Sequence, residues 1–320
     1  MKVRPVTHHV ILGKGQIGST VAESLARRGD TVRVLSRSGG TDTDSITHHK
    51  VDARDRDALL AACRGADVIY NCANPGGYHQ WEAEWPPMAE ALLAAAEAND
   101  AGLVMTGNLY VYAETDRHMT ERSALAATTR KGRLRVEMWE EAVARHRAGR
   151  LRVTEARASD FFGPGTTQNA MLGERVMRPL LAGGNVQLLG DVDAPHSFTY
   201  IPDVANALIR LADDDRSWGR AWHIPTAPAV SQRDMVDGIC EIAGRSPARI
   251  TRMPWWLIIN VAGLFQPHLR GLAETRHQWD SPYVMESTEF TETFGDVPTP
   301  FDEALGETVE WWRRRIAEQR

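Results

Sequence analysis

At 320 residues, with 42% hydrophobic and 25% charged content, the chain suits one large globular domain or two of ordinary size with a sizeable core. Its 37 Lys and Arg are interleaved with 42 Asp and Glu, and the formal net charge of -5 excludes nucleic-acid binding as the main activity. Cys63, Cys72 and Cys240 lack paired spacing, which fits reduced thiols and a cytoplasmic location. Met1-Lys2-Val3-Arg4 does not open a secretory leader, and the most apolar stretch, Trp255 to Phe265, is shorter than the ~20 residues of a membrane span.

In chain order, residues 9–12 form the continuous apolar run expected of a parallel strand covered on both faces. The run ends in Gly13-x-Gly15-x-x-Gly18, and a helical pattern follows to Arg28, closed by Gly29. The first glycine permits a tight turn, the second lets backbone approach a pyrophosphate, and the third lets helix and strand pack closely. Gln16 and Ile17 stand at the helix N-terminus, whose unpaired N–H groups and positive dipole end attract phosphate. Alone the motif also fits a βα turn with no ligand.

A second strand at residues 31–35 runs into Ser36-Arg37-Ser38. A dinucleotide site for an unmodified ribose carries a carboxylate about 20 residues after the glycines. Here Ser36 and Arg37 hold that place, with no carboxylate before Asp42, and a hydroxyl beside a guanidinium suits a 2′-phosphate. NADP(H) is therefore expected in preference to NAD(H). Strands at 49–51 (leading into Asp52-Ala53), 67–73, 103–106 and 151–157 alternate with helices at 55–63, 86–99 and 133–147. That alternation predicts an α/β fold with a doubly wound parallel Rossmann sheet.

With these residues assembled, the chain resembles the extended short-chain dehydrogenase/reductase family, in its NAD(P)-dependent epimerase/dehydratase-like branch, over nearly its whole length. The resemblance rests on the glycine motif, Asp52-Ala53, Asn71-Cys72-Ala73, Asn108-Leu109-Tyr110-Val111-Tyr112-Ala113, Arg157-Ala158-Ser159-Asp160-Phe161-Phe162-Gly163-Pro164-Gly165 and Phe198-Thr199-Tyr200-Ile201-Pro202-Asp203-Val204-Ala205. It implies that Asp52 contacts the adenine, that Ala73 lines the cofactor path and that the segment after Arg157 shapes the nicotinamide side. It also implies a dinucleotide-binding domain over residues 1–160, to which residues ~196–225 return, and a smaller substrate domain over most of 161–320.

The catalytic positions depart from that family, which carries Ser or Thr and then Tyr-x-x-x-Lys on a helix. The Ser position is Asn108, the Tyr position is Lys131 and the Lys position is Arg135. An Arg can hold ribose hydroxyls but stays charged, whereas a Lys transfers a proton only where its surroundings allow. Three readings stand. Lys131 replaces the tyrosine as proton donor with Asn108 polarising a carbonyl, or Tyr112, Tyr110 or Tyr78 supplies the proton, or the fold binds NADP(H) without turnover as a redox-sensing module.

Other residues have bland and sharp readings side by side. His79 and His196 fall in loops, where solvation or capping competes with substrate contact. Asp203 reads as a cap for a helix running to Ala212, and Gln168-Asn169, after the Gly163-Pro164-Gly165 turn, read either as substrate contacts or as plain polar loop residues. The stretch from Trp255 to Phe265 suits burial in the small domain or a dimer contact, and the last helix, from Phe301, aligns Leu305, Val309, Trp312 and Ile316 on one face. No His, Cys and Asp cluster has metal-ligand spacing. The expected protein is an NADP(H)-dependent oxidoreductase acting on a small organic carbonyl or alcohol, as monomer or homodimer. A non-catalytic NADP(H)-binding regulator and a nucleotide-sugar epimerase or dehydratase are the alternatives.

Overall fold

The structure, a computed structural model, describes residues 6–115, 118–167, 170–262 and 267–319. Its central sheet has seven strands: β1 (His8–Leu12), β2 (Thr31–Ser36), β3 (Ile46–Lys50), β4 (Val68–Asn71), β5 (Gly102–Asn108), β6 (Arg152–Ala158) and β10 (Ala221–His223). Their order is β10-β6-β5-β4-β1-β2-β3. β1 pairs in parallel with β2, placing Val10 beside Arg33, and with β4, placing Val10 beside Ile69. The chain turns outward to β2 and β3 on one side of β1 and to β4, β5 and β6 on the other. The carboxyl end of β1 is therefore a topological switch point, the place where open α/β sheets hold ligands.

Helices α1 (Gln16–Arg27), α2 (Arg56–Ala62), α3 (Trp81–Asn99) and α4 (Arg130–Arg147) accompany these strands. Val10, Leu12, Ile69 and Leu103 of the sheet pack with Trp81, Trp85 and Leu92 of α3 and with Met138 and Trp139 of α4 in one core. Two helices begin earlier than the sequence pattern suggests. Helix α3 starts at Trp81, so Pro86 and Pro87 lie inside it rather than opening it. An interior proline costs about 3 kcal/mol. Burying the two indoles at Trp81 and Trp85, each offering roughly 150–250 Å² at about 25 cal/mol per Å², outweighs that cost. Helix α4 starts at Arg130 because Thr129 caps it, its Oγ1 accepting from the Gly132 N–H at 3.1 Å. Strand β3 lies at Ile46–Lys50, earlier than expected, since Ile46 finds its partner in Val32 of β2.

Contacts divide the chain into two units. The first comprises Met1–Val111, Leu125–Arg157 and Val204–Trp222, and the second Tyr112–Ala124, Ala158–Asp203 and His223–Arg320. In the second unit, β8 (Val186–Leu189) pairs in parallel with β11 (Ile250–Met253), and β7 (Asp160–Phe162) with β9 (Phe198–Tyr200). Its core joins Met177 and Leu180 of α5 (Glu174–Leu181), Val236 and Ile239 of α7 (Gln232–Ala243) and Leu305, Val309 and Trp312 of the last helix, Phe301–Glu318. Helix α6 (Ile201–Asp213) begins before Asp203, which therefore does not cap it. The Asp203 carboxylate instead accepts the N–H and hydroxyl of Thr299, at 2.9 and 2.7 Å. Trp255 is buried, its indole N–H donating to Asp280 at 2.8 Å, while Trp256 next to it is 61% exposed. Gln168, Asn169 and residues 263–266 lie outside the described residues. Among the described residues, no helix is long and apolar enough to cross a membrane.

Candidate active site

The three glycines act in three ways. Gly13 adopts φ +103°, and a Cβ there would stand 2.8 Å from the Ala73 nitrogen and the Cys72 carbonyl oxygen. A Cβ on Gly18 would fall 1.9 Å from the Gly13 oxygen, so the third glycine sets the contact between α1 and the turn. Around Gly15 no atom lies within 4 Å of such a Cβ. Gly15 is also the N-cap of α1, and no side chain caps that end. An uncapped helix N-terminus beneath an open glycine fits a pyrophosphate: it supplies donors, positive potential and room. Gln16 opens α1, while Ile17 is buried and holds that end of the helix against the core.

On the β2 side, the Ser36 hydroxyl and the Lys14 ammonium both donate to the Gly39 carbonyl, at 3.3 and 2.5 Å. Arg37 is exposed beside them. Asp52 is gripped by Arg54, whose Nη2 and Nε donate to it at 2.7 and 3.0 Å. Those bonds, with smaller help from the positive charge of Arg37, hold the Asp52 carboxyl down at about 2. Ala53 is buried in the core, and Ala73 receives its place from Asn71, whose Oδ1 accepts the Ala73 N–H at 3.2 Å. Lys14 and Arg54 escaped the sequence reading, although both stand in or next to segments it singled out.

On the other side of β1, at the ends of β4 and β5, lies an aromatic and cationic cluster. Asn108 closes β5, and its Oδ1 accepts the Tyr110 N–H at 3.1 Å, which leaves the amide NH2 to donate. Tyr78, from the loop after β4, and Tyr110 share a hydroxyl–hydroxyl hydrogen bond of 2.7 Å. Trp81 stacks on Tyr110 with ring centres 6.1 Å apart. Lys131 is buried, with Nζ 4.9 Å from the centre of the Tyr78 ring. Gly132 makes that approach possible, because a Cβ there would lie 2.2 Å from the Tyr110 carbonyl oxygen. The glycine thereby seats α4 on the segment after β5.

Arg135 is 6% exposed, its guanidinium 4.5 Å from the Trp85 ring centre and 5.5 Å from that of Trp81. Nη2 reaches the Thr106 carbonyl at 3.5 Å, while Nε and Nη1 are buried without a hydrogen-bond partner. Burial lowers its pKa and the nearby Glu155 opposes that shift. Glu155 in turn pairs with Arg157 at 2.7 Å, both side chains buried. Arg135 feels the same carboxylate's charge without bonding it. The Cys72 thiol nearby is pushed up to about 12 by burial, so it stays protonated and inert.

Tyr112 belongs to the second unit, apart from Asn108, Lys131 and Arg135 in the first. Its hydroxyl lies 2.7 Å from His223 Nε2, and His223 Nδ1 lies 2.7 Å from the Glu286 carbonyl oxygen. A carbonyl only accepts, so Nδ1 carries a proton and donates it to Glu286. His196 is buried rather than solvated, between Asp160 at 2.8 Å and the Gln278 carbonyl at 3.1 Å, and stacked on Trp279. His79 is exposed.

Comparisons with known proteins give one family match and several matches of fold. A family profile described as the NAD dependent epimerase/dehydratase family matches residues 10–224. Among solved structures, a putative epimerase from Burkholderia cenocepacia is 22% identical, covering 98% of this chain and 100% of its own, with a TM-score of 0.79. A dTDP-glucose 4,6-dehydratase from Streptomyces venezuelae, solved with NAD, is 20% identical over 97% of this chain and 98% of its own, with a TM-score of 0.77. A UDP-glucose 4-epimerase from Thermotoga maritima, solved with UDP-glucose, is 16% identical over 97% and 100%, with a TM-score of 0.78. No curated protein matches the chain.

Proposed function

The chain belongs to the NAD dependent epimerase/dehydratase family, as an NAD(P)-dependent enzyme of the extended short-chain dehydrogenase/reductase type, and from that premise we propose that it is an NADP(H)-dependent oxidoreductase of a small organic carbonyl or alcohol. The observation that carries the NADP(H) preference is the loop after β2, where Ser36 and Lys14 both bond the Gly39 carbonyl, Arg37 is exposed next to Ser36, and the sequence has no carboxylate before Asp42. A 2′-phosphate there gains cationic partners, and the Asp52 carboxylate, whose charge Arg37 feels, is already paired with Arg54. The unmodified ribose loses the acceptor that would bind its hydroxyl.

When bound, the reduced dinucleotide supplies a hydride. Gly13, Gly15 and Gly18 with the α1 N-terminus hold its pyrophosphate, and Ala53 and Asp52 flank the adenine end. Ala73 borders the path toward β4. Asn108 points its free amide NH2 at the substrate carbonyl oxygen, which favours charge developing there. Arg135, with two buried N–H groups lacking acceptors, answers to the ribose hydroxyls. Lys131 fixes a positive charge at the same end. A nucleotide-sugar epimerase or dehydratase is the second reading, favoured by the full-length likeness to such enzymes at TM-scores of 0.77 and 0.78. The replacement of tyrosine by Lys131 weighs against it.

Titrating NADPH and NADH against fluorescence of the ten tryptophans tests the cofactor, and NADPH consumption over a panel of aldehydes, ketones and nucleotide sugars tests the chemistry. Equal affinity for the two dinucleotides overturns the preference. Binding without turnover across the panel favours the redox-sensing alternative.

A further inference from the structure

The family's tyrosine is absent from position 131, yet two tyrosine hydroxyls stand beside that position. Tyr78 leaves the end of β4 and Tyr110 the end of β5, neighbouring strands on the side of β1 away from Ser36 and Arg37. A dinucleotide whose phosphates rest on the glycine turn and whose 2′-phosphate meets Arg37 directs its nicotinamide half across those two strand ends. The phenols are half-buried, 2.7 Å apart, and set next to Asn108 by its bond to the Tyr110 N–H. Lys131 faces the Tyr78 ring, and Arg135 lies one helical turn further along α4.

We propose that Tyr78 and Tyr110 form the acid/base pair of this site, one hydroxyl giving its proton to the substrate oxygen while the other hydrogen-bonds the phenolate left behind. The proposal rests on the oxidoreductase reading above. In the reducing direction the hydride from the reduced dinucleotide adds to the carbonyl carbon. The C=O bond opens, its oxygen takes the phenolic proton, and the electron pair of the broken O–H bond stays on the tyrosine. Water returns a proton to the phenolate as the alcohol leaves, and oxidation runs the same steps backward.

Two features make a phenolate tolerable here. A phenol 2.7 Å away donates a charge-assisted hydrogen bond to it, and Lys131 and Arg135 on α4 bring positive charge. Behind Arg135 stands the Glu155–Arg157 pair on β6, and His79, next to Tyr78 in the chain, is exposed. Tyr112 stands outside this pair, its hydroxyl engaged with His223 Nε2 at 2.7 Å. Substituting phenylalanine at 78 or 110 keeps the ring contacts with Trp81 and removes only the hydroxyl.

Near-ultraviolet difference titration of the protein without added nucleotide reads tyrosine ionisation directly, against a background of six tyrosines. We expect one phenol to ionise about 1–2 pH units below the ordinary value near 10. Tyr78→Phe and Tyr110→Phe should each abolish that early step, and Lys131→Met should move it up by about one pH unit. Both phenylalanine variants should keep wild-type circular dichroism and NADPH affinity while kcat falls roughly 10²-fold or more, with KM changed little. An early step that survives both phenylalanine changes, or unchanged kcat in both, overturns the pair. A wild-type protein that turns over NADPH with no early step overturns the pair and leaves the oxidoreductase reading standing. Failure to bind any nicotinamide dinucleotide overturns the reading itself.

Discussion

Lys14 donates through Nζ to the carbonyl oxygen of Gly39 over 2.5 Å, tying the glycine-rich turn after β1 to the loop after β2. The two loops proposed to hold the dinucleotide's adenosine half are thereby fixed to one another. Lys14 also brings a second cation to the neighbourhood of Arg37. On the proposed NADP(H) preference, Lys14→Ala and Arg37→Ala should each weaken NADPH binding about five- to tenfold and leave NADH binding within about twofold, because only a phosphorylated ribose would use them. Raising the salt concentration should shrink the difference, as expected for partly exposed charges. Parallel losses for both dinucleotides in a fluorescence titration would instead make Lys14 a loop-fastening residue.

Gly15 and Gly18 separate binding from folding. Gly15→Ala places a methyl group in open space, so the thermal midpoint should stay within about a degree of the wild type while dinucleotide affinity falls at least tenfold. Gly18→Ala drives a methyl group to 1.9 Å from the Gly13 oxygen and should cost about 2–3 kcal/mol of stability. Denaturant melts beside binding isotherms of the two variants decide this. A destabilised Gly15→Ala would mean that the open space has another structural use.

The buried triad of Arg135, Glu155 and Arg157 makes a contrast of signs. Arg135 has two N–H groups without acceptors, so Arg135→Met exchanges a desolvated charge for an apolar chain against Trp81 and Trp85. Such exchanges are neutral or stabilising, and the variant should melt at or slightly above the wild type while binding NADPH less well. Glu155→Gln removes the carboxylate that pairs with the buried Arg157 guanidinium and should cost about 3–5 kcal/mol. If Arg135→Met melts several degrees lower, its charge matters to the fold more than its unpaired groups indicate.

The sheet was legible because its signals are local. The apolar run into Gly13-x-Gly15-x-x-Gly18, and the alternation that follows, depend on residues close in sequence, and the parallel order β5-β4-β1-β2-β3 grows from them. The start of α3 was not legible, since Pro86 reads as a first-turn residue until Trp81 and Trp85 are known to be buried together. Asp203 looked like a cap because an acidic residue precedes a helical run. The acceptor role toward Thr299, 96 residues away, leaves no local mark. The proposed catalytic end shows the same limit: positions 108, 131 and 135 could be named in sequence. That Tyr78 stands against Tyr110 follows only from β4 and β5 being neighbours.

Around Asp203 the second unit gathers negative charge, and the consequence is a pH effect of definite sign. Burial raises the Asp203 carboxyl above the usual range, Thr299 opposes this with two hydrogen bonds, and Glu303 and Glu307 add repulsion. Glu307 also accepts the Tyr200 hydroxyl. The folded state therefore holds the Asp203 proton more tightly than the unfolded chain does. That contribution to stability is complete below the unfolded carboxyl value near 4 and is lost as pH rises through the higher folded value. Glu307→Gln keeps an acceptor for Tyr200 and removes one of the repelling charges. Its thermal midpoint should match the wild type near pH 4 and exceed it by about 2 °C near pH 8, the shift expected from somewhat under 1 kcal/mol in a protein of this size. Calorimetric scans across that range give the comparison, and midpoints that track the wild type at every pH would show that Glu307 carries no charge felt by Asp203.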